Sequence, residues 1–452
     1  MKIMRRLFVL TLLVCLVLPF AFGGGGTQPA AGGSAPAKAP AAAPAAAPAK
    51  ITLWSGYPEL QGFYEQVAKD FTAKNPNITV EVQTFALNDL NNKLGVAVPS
   101  NTAADILELI SVHSFPWAEK FFTEVPSGLK NVVMQGINKE YLHDVDYNGK
   151  LMGVPFCFYS EVLYYNKDHF KEAGLTNPPD TVDQLIDYAR KLTKYDAKGN
   201  VERSGISLRF AGHPSGTCEK FWAMGLLPFG GDILTEGSVK GKYHNGFVAN
   251  DAGFKGLSLY LDFLYKYKVT DFNIKQDSEA FGQGKAAMFE REQWVVEYMR
   301  TNAPKINYDA SALPKGSQRA TFAITRNMFV PQASKNKDAA FKFIEYFYSK
   351  PVMEKMVKDT GWLSTRADLD YKSLLSNNAQ LLAGVQNPPD LKFVWQKRLS
   401  CENEIMTRMG EQLTTLFANK ALAGNDTAIR AEIKKLGDMV DNVLKENNLF
   451  SN

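Results

Sequence analysis

The chain has 452 residues, with 51 Lys or Arg against 47 Asp or Glu and a formal net charge of +4. That near balance, with both signs interspersed, leaves no basic footprint for nucleic acid or an anionic membrane surface. The roughly 400 residues after position 50 are too many for one ordinary core, so two lobes are expected.

The first segment reads as an export signal. Lys2, Arg5 and Arg6 precede an apolar run from Leu7 to Phe22, and Ala21-Phe22-Gly23 offers small residues for cleavage after Gly23. An uncleaved anchor is the alternative reading of the same run. Cys15 lies in mid-run without a small residue just before it, so it belongs to the signal rather than to a lipidation site. Removing residues 1–23 takes away three bases and no acids, leaving 48 against 47. Residues 24–50 are Gly-rich and then Ala/Pro-rich; they have little to bury and read as an extended linker. The expected location is outside the cytoplasm, periplasmic or at the cell surface.

Ile51–Trp54 is a short apolar strand that stops at Ser55-Gly56-Tyr57-Pro58. Phe63, Val67 and Phe71 share a helix face that ends at Asn75-Pro76-Asn77, and Ile78, Val80 and Val82 alternate as a half-buried strand should. Asp105–Ile110 is a further strand, and strands alternating with helices indicate a parallel α/β sheet. The same order returns with a strand at Val162–Tyr165. Thr181 and Gln184 form a capping box before the helix face Leu185, Tyr188, Ala189 and Leu192. Ala340, Phe343, Ile344 and Phe347 mark another helix; Pro351 suits the first turn of the next and Gly361 its C-terminal cap. Two helices close the chain, one through Ile405, Met409, Leu413 and Leu416, the other through Ile429, Ile433, Leu436, Val440 and Val443.

Catalytic and metal signatures are missing. The five histidines are scattered, Gly212-His-Pro-Ser-Gly216 places its serine one position too late for a nucleophile elbow, and Gly282-Gln-Gly284-Lys285 lacks the register of a P-loop. Cys157, Cys218 and Cys401 fit no zinc spacing; three buried thiols are expected, with Cys218–Cys401 as the alternative pair in an oxidising compartment. Neither enzyme activity, metal nor cofactor is expected. A secreted glycoside hydrolase with a carboxylate pair is the rival from another class, and a sensory or adhesive receptor is a third reading.

What is present is a set of aromatic residues beside polar ones in loops that follow strands, where open α/β sheets bind ligands. Flat rings bury the C–H faces of a sugar while carboxylates, amides and guanidinium groups bond its hydroxyls. Loop position and polarity select Arg209, Trp222 and Asp232.

Five stretches in order carry a resemblance. They are ITLWSGYPE…FYEQVAKDFTAKNPNITVEV, ADILELISVHSFPWAE, NGKLMGVPFCFYSEVLYYNKDHFKEAGLTNPPDTVDQLIDYARKL, FGQGKAAMFEREQW and GWLSTRADL. From Ile51 onward the chain resembles the family 1 extracellular solute-binding proteins, the maltose-binding-protein-like receptors of ABC importers. The resemblance implies an α/β type II periplasmic-binding-protein-like fold, each lobe a mixed, mostly parallel sheet flanked by helices, with a ligand cleft between the lobes. Residues 51–158 plus 314–348 form the expected first lobe and 159–313 plus 349–452 the second. It implies a carbohydrate ligand, or a polyol or glycerol phosphate as the alternative, and a membrane permease and ATPase as partners of a monomeric receptor. Carried over, Tyr57, Glu59, His113, Trp117, Tyr159, Glu161, Trp294, Trp362 and Arg366 are the expected ligand contacts. Asn101-Thr-Ala-Ala-Asp105, Glu292-Gln293 before Trp294, and Ser364 depart from the family's usual residues and bear on which sugar is bound. Tyr164-Tyr165 could suggest the tyrosinate pair of iron-binding relatives, but Tyr-Tyr-Asn-Lys is the ordinary strand and turn of the sugar-binding group.

Overall fold

The computed structural model describes residues 48–274 and 277–452; the expected signal and nearly all of the expected linker fall outside them. Ala49 and Lys50, assigned from the sequence to the linker, instead open a strand. In chain order the elements that position the site are β1 (Ala49–Ser55), α1 (Gln61–Lys74), β2 (Ile78–Thr84), α2 (Leu87–Ala97), β3 (Ile106–Ile110), β4 (Val154–Asn166) and α3 (Val182–Leu192). They continue with α4 (Pro214–Phe221), α5 (Ala252–Leu261), β5 (Met288–Glu292), α6 (Val295–Asn302), β6 (Tyr308–Ser311) and β7 (Arg319–Phe329). The last are α7 (Lys337–Phe347), α8 (Lys350–Thr360), β8 (Leu363–Ser364), β9 (Leu391–Val394), α9 (Glu402–Ala418) and α10 (Asp426–Glu446). Among the described residues no helix is long and apolar enough to cross a membrane.

The local signals act where the sequence places them. Thr181 caps α3 by accepting from the Gln184 amide at 3.2 Å, but Gln184 Oε1 reaches back to the amide of Asp180, one residue earlier than a standard box. Pro351 sits in the first turn of α8, and Gly361 ends it at φ 71°, a left-handed position that a β-carbon would disfavour.

Strand order in the main sheet is β5-β4-β7-β3-β1-β2, with β6 and β8 also paired to β4 and β9 to β7. β1 is parallel to β2 and β3, whereas β7 is antiparallel to both β3 and β4. The fold is α/β, but its strands do not separate into two mostly parallel sheets. β4 has 13 residues and β7 has 11, and these two long strands pair with each other and with strands on either flank. Hydrogen bonding therefore runs continuously through the middle of the molecule. Every residue of β3 and β7 is buried, as expected of central strands covered on both faces.

Two apolar cores flank this sheet. One joins α1, α2, α7 and α8 to β1 and β3; the other gathers α3, α4, α5, α9 and α10. α8 was assigned from the sequence to the second lobe, yet its buried Val352, Met353, Met356 and Val357 pack in the first core. In the second core α4 runs on into a π-helical turn, Trp222–Leu226, against which α5 packs so closely that a β-carbon on Gly256 would come 2.0 Å from the Gly225 carbonyl oxygen. Cys157, Cys218 and Cys401 are buried and unpaired, Cys218 lying 3.9 Å from the Met409 sulfur.

Candidate functional site

The loop that ends β1 brings Tyr57 and Glu59 to a cavity of about 890 Å³, whose lining is drawn from segments far apart in the chain. The entry to α2 contributes Asn88 and Asn91, and the turn after β3 contributes His113 and Trp117. Arg209, His213 with Ser215 and Gly216 at the start of α4, Glu219 further along α4, and Arg291 and Glu292 on β5 line it as well. Tyr159 on β4, Ile324 on β7, Trp294 and Trp362 supply the remaining walls, joined by Gln396, Ser400, Asn403 and Met406 around the start of α9.

Ring geometry fixes the aromatic part. Trp362 meets Tyr57 edge to face at 5.5 Å and Tyr159 at 6.3 Å. Beneath them the guanidinium of Arg326 lies 2.9 Å from the Tyr57 ring centre and 3.6 Å from that of Trp362. Burial pushes the Tyr57 phenol up to about 12 although Arg326 opposes it, so the hydroxyl is neutral. Trp294 is held by an N–H donated to Glu292 Oε2 at 2.8 Å and by Arg291, 5.2 Å from its ring centre.

Charge is concentrated on one side. The buried Lys220 ammonium pairs with Glu161, with Glu292 at 2.8 Å, and with Glu219 and Glu290 at 3.6 Å. Arg209 bonds Asp277 at 2.8 Å, and Arg291 pairs with Asp277 at 3.4 Å and Glu292 at 3.1 Å. Five carboxylates thus face three cations. Burial pushes Glu219 and Glu290 each up to about 7, partly offset by Lys220, and drives Glu161 well above the carboxylate range. Glu292 goes the other way: burial alone would raise it, but Arg291 and Lys220 hold it well below. Oxygens of Glu161, Glu219 and Glu292 lie within 4.8 Å of one another, a spacing suited to a cation, and the Lys220 ammonium pairs with all three.

Among the described residues, several fully buried polar atoms of the lining side chains have no protein partner: Asn91 Oδ1, His113 Nδ1, Arg209 Nε and Gln396 Oε1. Burial lowers the His113 imidazole to about 4, so it is neutral near pH 7. Its Nε2 faces Asn91 Nδ2 at 3.0 Å. With that amide donating, Nε2 accepts and the ring proton sits on Nδ1, leaving one donor beside the free Asn91 Oδ1 acceptor.

Of the twelve residues expected from the sequence, eight line the cavity: Tyr57, Glu59, His113, Trp117, Tyr159, Arg209, Trp294 and Trp362. Four do not. Trp222 is 1% exposed and stacks on Phe322 at 5.0 Å and 6°, because its position falls inside the second core rather than in a loop. Asp232 is tied to Lys397 at 2.8 Å. Arg366 is held by two bonds to Asp368 and by the Tyr348 carbonyl. Glu161 points along β4 to Lys220, behind the wall. Tyr164 is also internal, stacked on Phe289 and donating to the Glu292 carbonyl, so the tyrosine pair does not face the cavity. Sequence reasoning missed Asn91, Glu219, Arg291 and the Gln396–Met406 segment. The one available hint was Gly212–Gly216, which opens α4 and lends His213, Ser215 and Gly216 to the lining.

Comparison with known proteins bears on this geometry. Residues 66–383 match the family model described as "Bacterial extracellular solute-binding protein". A binding protein of Brucella abortus is 27% identical over 334 residues, covering 73% of this chain and 79% of the relative. The sn-glycerol-3-phosphate-binding periplasmic protein of Escherichia coli K12 is 26% identical over 399 residues, 80% of this chain and 86% of the relative. Among solved structures, an ABC transporter solute-binding protein of Thermotoga lettingae bound to α-D-tagatose superposes with a TM-score of 0.71 at 26% identity, covering 87% of this chain and 99% of that one. With a family model spanning more than half its length, the chain belongs to the bacterial extracellular solute-binding proteins, a non-enzymatic family.

Proposed function

We propose that the chain is the substrate-receiving component of an ABC importer and that the 890 Å³ cavity takes an uncharged polyhydroxylated ligand, a sugar or short oligosaccharide. The observation that carries this reading is the pairing of aromatic walls with neutral polar side chains in one lining. Tyr57, Tyr159, Trp294 and Trp362 supply the rings, and the neutral side chains of Asn91, His113 and Gln396 in the same lining supply groups of the kind that bond hydroxyls. The Thermotoga lettingae protein, bound to a ketose, supports the same class. Residues 51–158 with 314–348 are one lobe and 159–313 with the C-terminal helices the other, and the packing of α8 argues for adding it to the first. Ligand contacts from both lobes favour the closed form, since a ligand shifts an equilibrium only by its differential affinity. Membrane permease and ATPase subunits are the partners, and the receptor works outside the cytoplasm.

The relationship to a glycerol-phosphate binder raises a second reading. Charge weighs against it: Arg209 and Arg291 are already paired, while Glu59, Glu219 and Glu292 line the same cavity. A phosphate dianion would have to compete with those carboxylates for the two arginines. Thermal unfolding of the full chain against tagatose, maltotriose, other sugars, polyols and glycerol 3-phosphate separates the readings. A ligand at a hundred times its Kd adds about 2.7 kcal/mol of stability. A shift with sugars alone supports the proposal; a shift with glycerol 3-phosphate alone replaces it.

A further inference from the structure

We infer that Arg326 is a positioning residue for ligand binding, a buried cation that sets Tyr57 and Trp362 as one wall of the cavity; this rests on the reading of those rings as ligand contacts. Arg326 lies in the middle of β7, 0% exposed, and does not reach the cavity, which its strand touches through Ile324. An arginine in a fully buried strand is costly unless something requires its charge there. Among the described residues one carboxylate answers it: Nε is 2.9 Å from Glu108 Oε1 on the neighbouring strand β3. Neither Nη1 nor Nη2 has a hydrogen-bond acceptor. Their surroundings are instead two ring faces, Tyr57 at 2.9 Å and Trp362 at 3.6 Å from the guanidinium carbon. A planar cation over a desolvated ring is held electrostatically by the ring quadrupole, and a flat guanidinium stacks where an ammonium cannot.

The connection extends to the backbone. Glu108 accepts from the Ser55 hydroxyl, and the same Ser55 oxygen accepts from the Tyr57 amide at 3.2 Å. One charge therefore anchors the loop that carries Tyr57 and, through its other ring contact, the turn after α8 that carries Trp362. These two segments are some 300 residues apart in the chain. Tyr57 and Trp362 meet edge to face because both are fitted to Arg326.

The test uses the full chain carrying 5-fluorotryptophan, with Trp362 assigned by its missing ¹⁹F signal in Trp362→Phe. Arg326→Lys keeps a charge for Glu108 but loses the flat stacking surface. In ligand-free protein its Trp362 resonance should shift and broaden while Trp222, in the other core, stays put. With tagatose and maltotriose as probes, whichever binds wild type should bind Arg326→Lys at least tenfold more weakly, and the loss should be smaller in a Trp362→Phe background, which alters one of its two ring contacts. Should Arg326→Lys fail to fold, Arg326→Met with Glu108→Gln removes both charges together and takes the same measurements. An unmoved Trp362 resonance overturns the inference whatever the ligand. A moved resonance with unchanged affinity overturns the role in binding and, with it, the reading of Trp362 as a contact. Failure of both probes to bind wild type counts against the proposed ligand class alone, since the ring signal is read without ligand.

Discussion

Glu292 Oε2 accepts the indole N–H of Trp294 at 2.8 Å while Arg291, paired to the same carboxylate at 3.1 Å, lies over the ring. The ring is thereby held at the cavity wall before any ligand arrives, so little side-chain entropy is lost on binding. Trp294→Ala should weaken binding of the sugar by about 2 kcal/mol, roughly thirtyfold. Because Trp294 is only half-buried, its unfolding midpoint should stay within a few degrees of wild type. Titration calorimetry alongside a thermal scan checks both, and an unchanged Kd removes Trp294 from the site.

Trp222 is the contrasting case. Its ring is parallel to Phe322 inside the second core, so truncation leaves a cavity rather than an open wall. Trp222→Ala should cost about 3–5 kcal/mol of stability, seen as a lower urea midpoint. Affinity of the folded fraction should change less than twofold. A large affinity loss with little loss of stability would return Trp222 to the site.

The two tryptophans also show how far the sequence could be read. Strands and helices were legible because their apolar periods agree with their caps: Thr181, Pro351 and Gly361 act where expected. Tyr57 and His113, which line the cavity, were reached through the family resemblance carried by the stretches that follow β1 and β3. Trp222 was not legible, since a helix running on into a π turn carries no distinctive pattern and looks like a loop beside Gly225. Asn91 and Asn403 sit on helices whose polar faces resemble any solvated surface, and only the fold brings them together. Arg326 is hidden differently, as one of two arginines in a strand whose eleven residues are all buried.

Glu219 gives the cavity a pH dependence. Burial, helped by Glu292 and opposed by Lys220 and Arg291, raises it to about 7; Glu161 and Glu290 face the same ammonium. Its folded value lies above the ordinary carboxylate value of 4.5, so the proton is bound more tightly in the folded state. The resulting stability is fully present below pH 4.5 and is lost as pH rises toward 7, levelling off above it. Glu219→Gln mimics the protonated form and removes that loss. Unfolding midpoints of the two proteins should diverge between pH 5 and 7, with the variant higher, and run parallel above pH 8. Curves parallel throughout would show that Glu219 ionises as an exposed carboxylate does.

If His113 contacts the ligand as proposed, the Asn91–His113 pair sets the direction of the hydrogen bond it offers. As the side chains stand, Asn91 Nδ2–H points to His113 Nε2 and the imidazole proton is on Nδ1. Asn91→Asp keeps the size but replaces the donor with an acceptor, so Nε2 must carry the proton. A nearby carboxylate also raises the imidazole's proton affinity above its present value of about 4. In the neutral ring Nδ1 then becomes an acceptor, and a ligand oxygen that had received a proton there meets a lone pair. The variant should fold normally and bind the sugar at least tenfold more weakly at pH 8. Imidazole ¹⁵N shifts should report the change of tautomer directly. Reversed shifts with unaltered affinity would place the ligand away from His113; wild-type shifts showing the proton already on Nε2 would mean that the Asn91 amide is turned the other way.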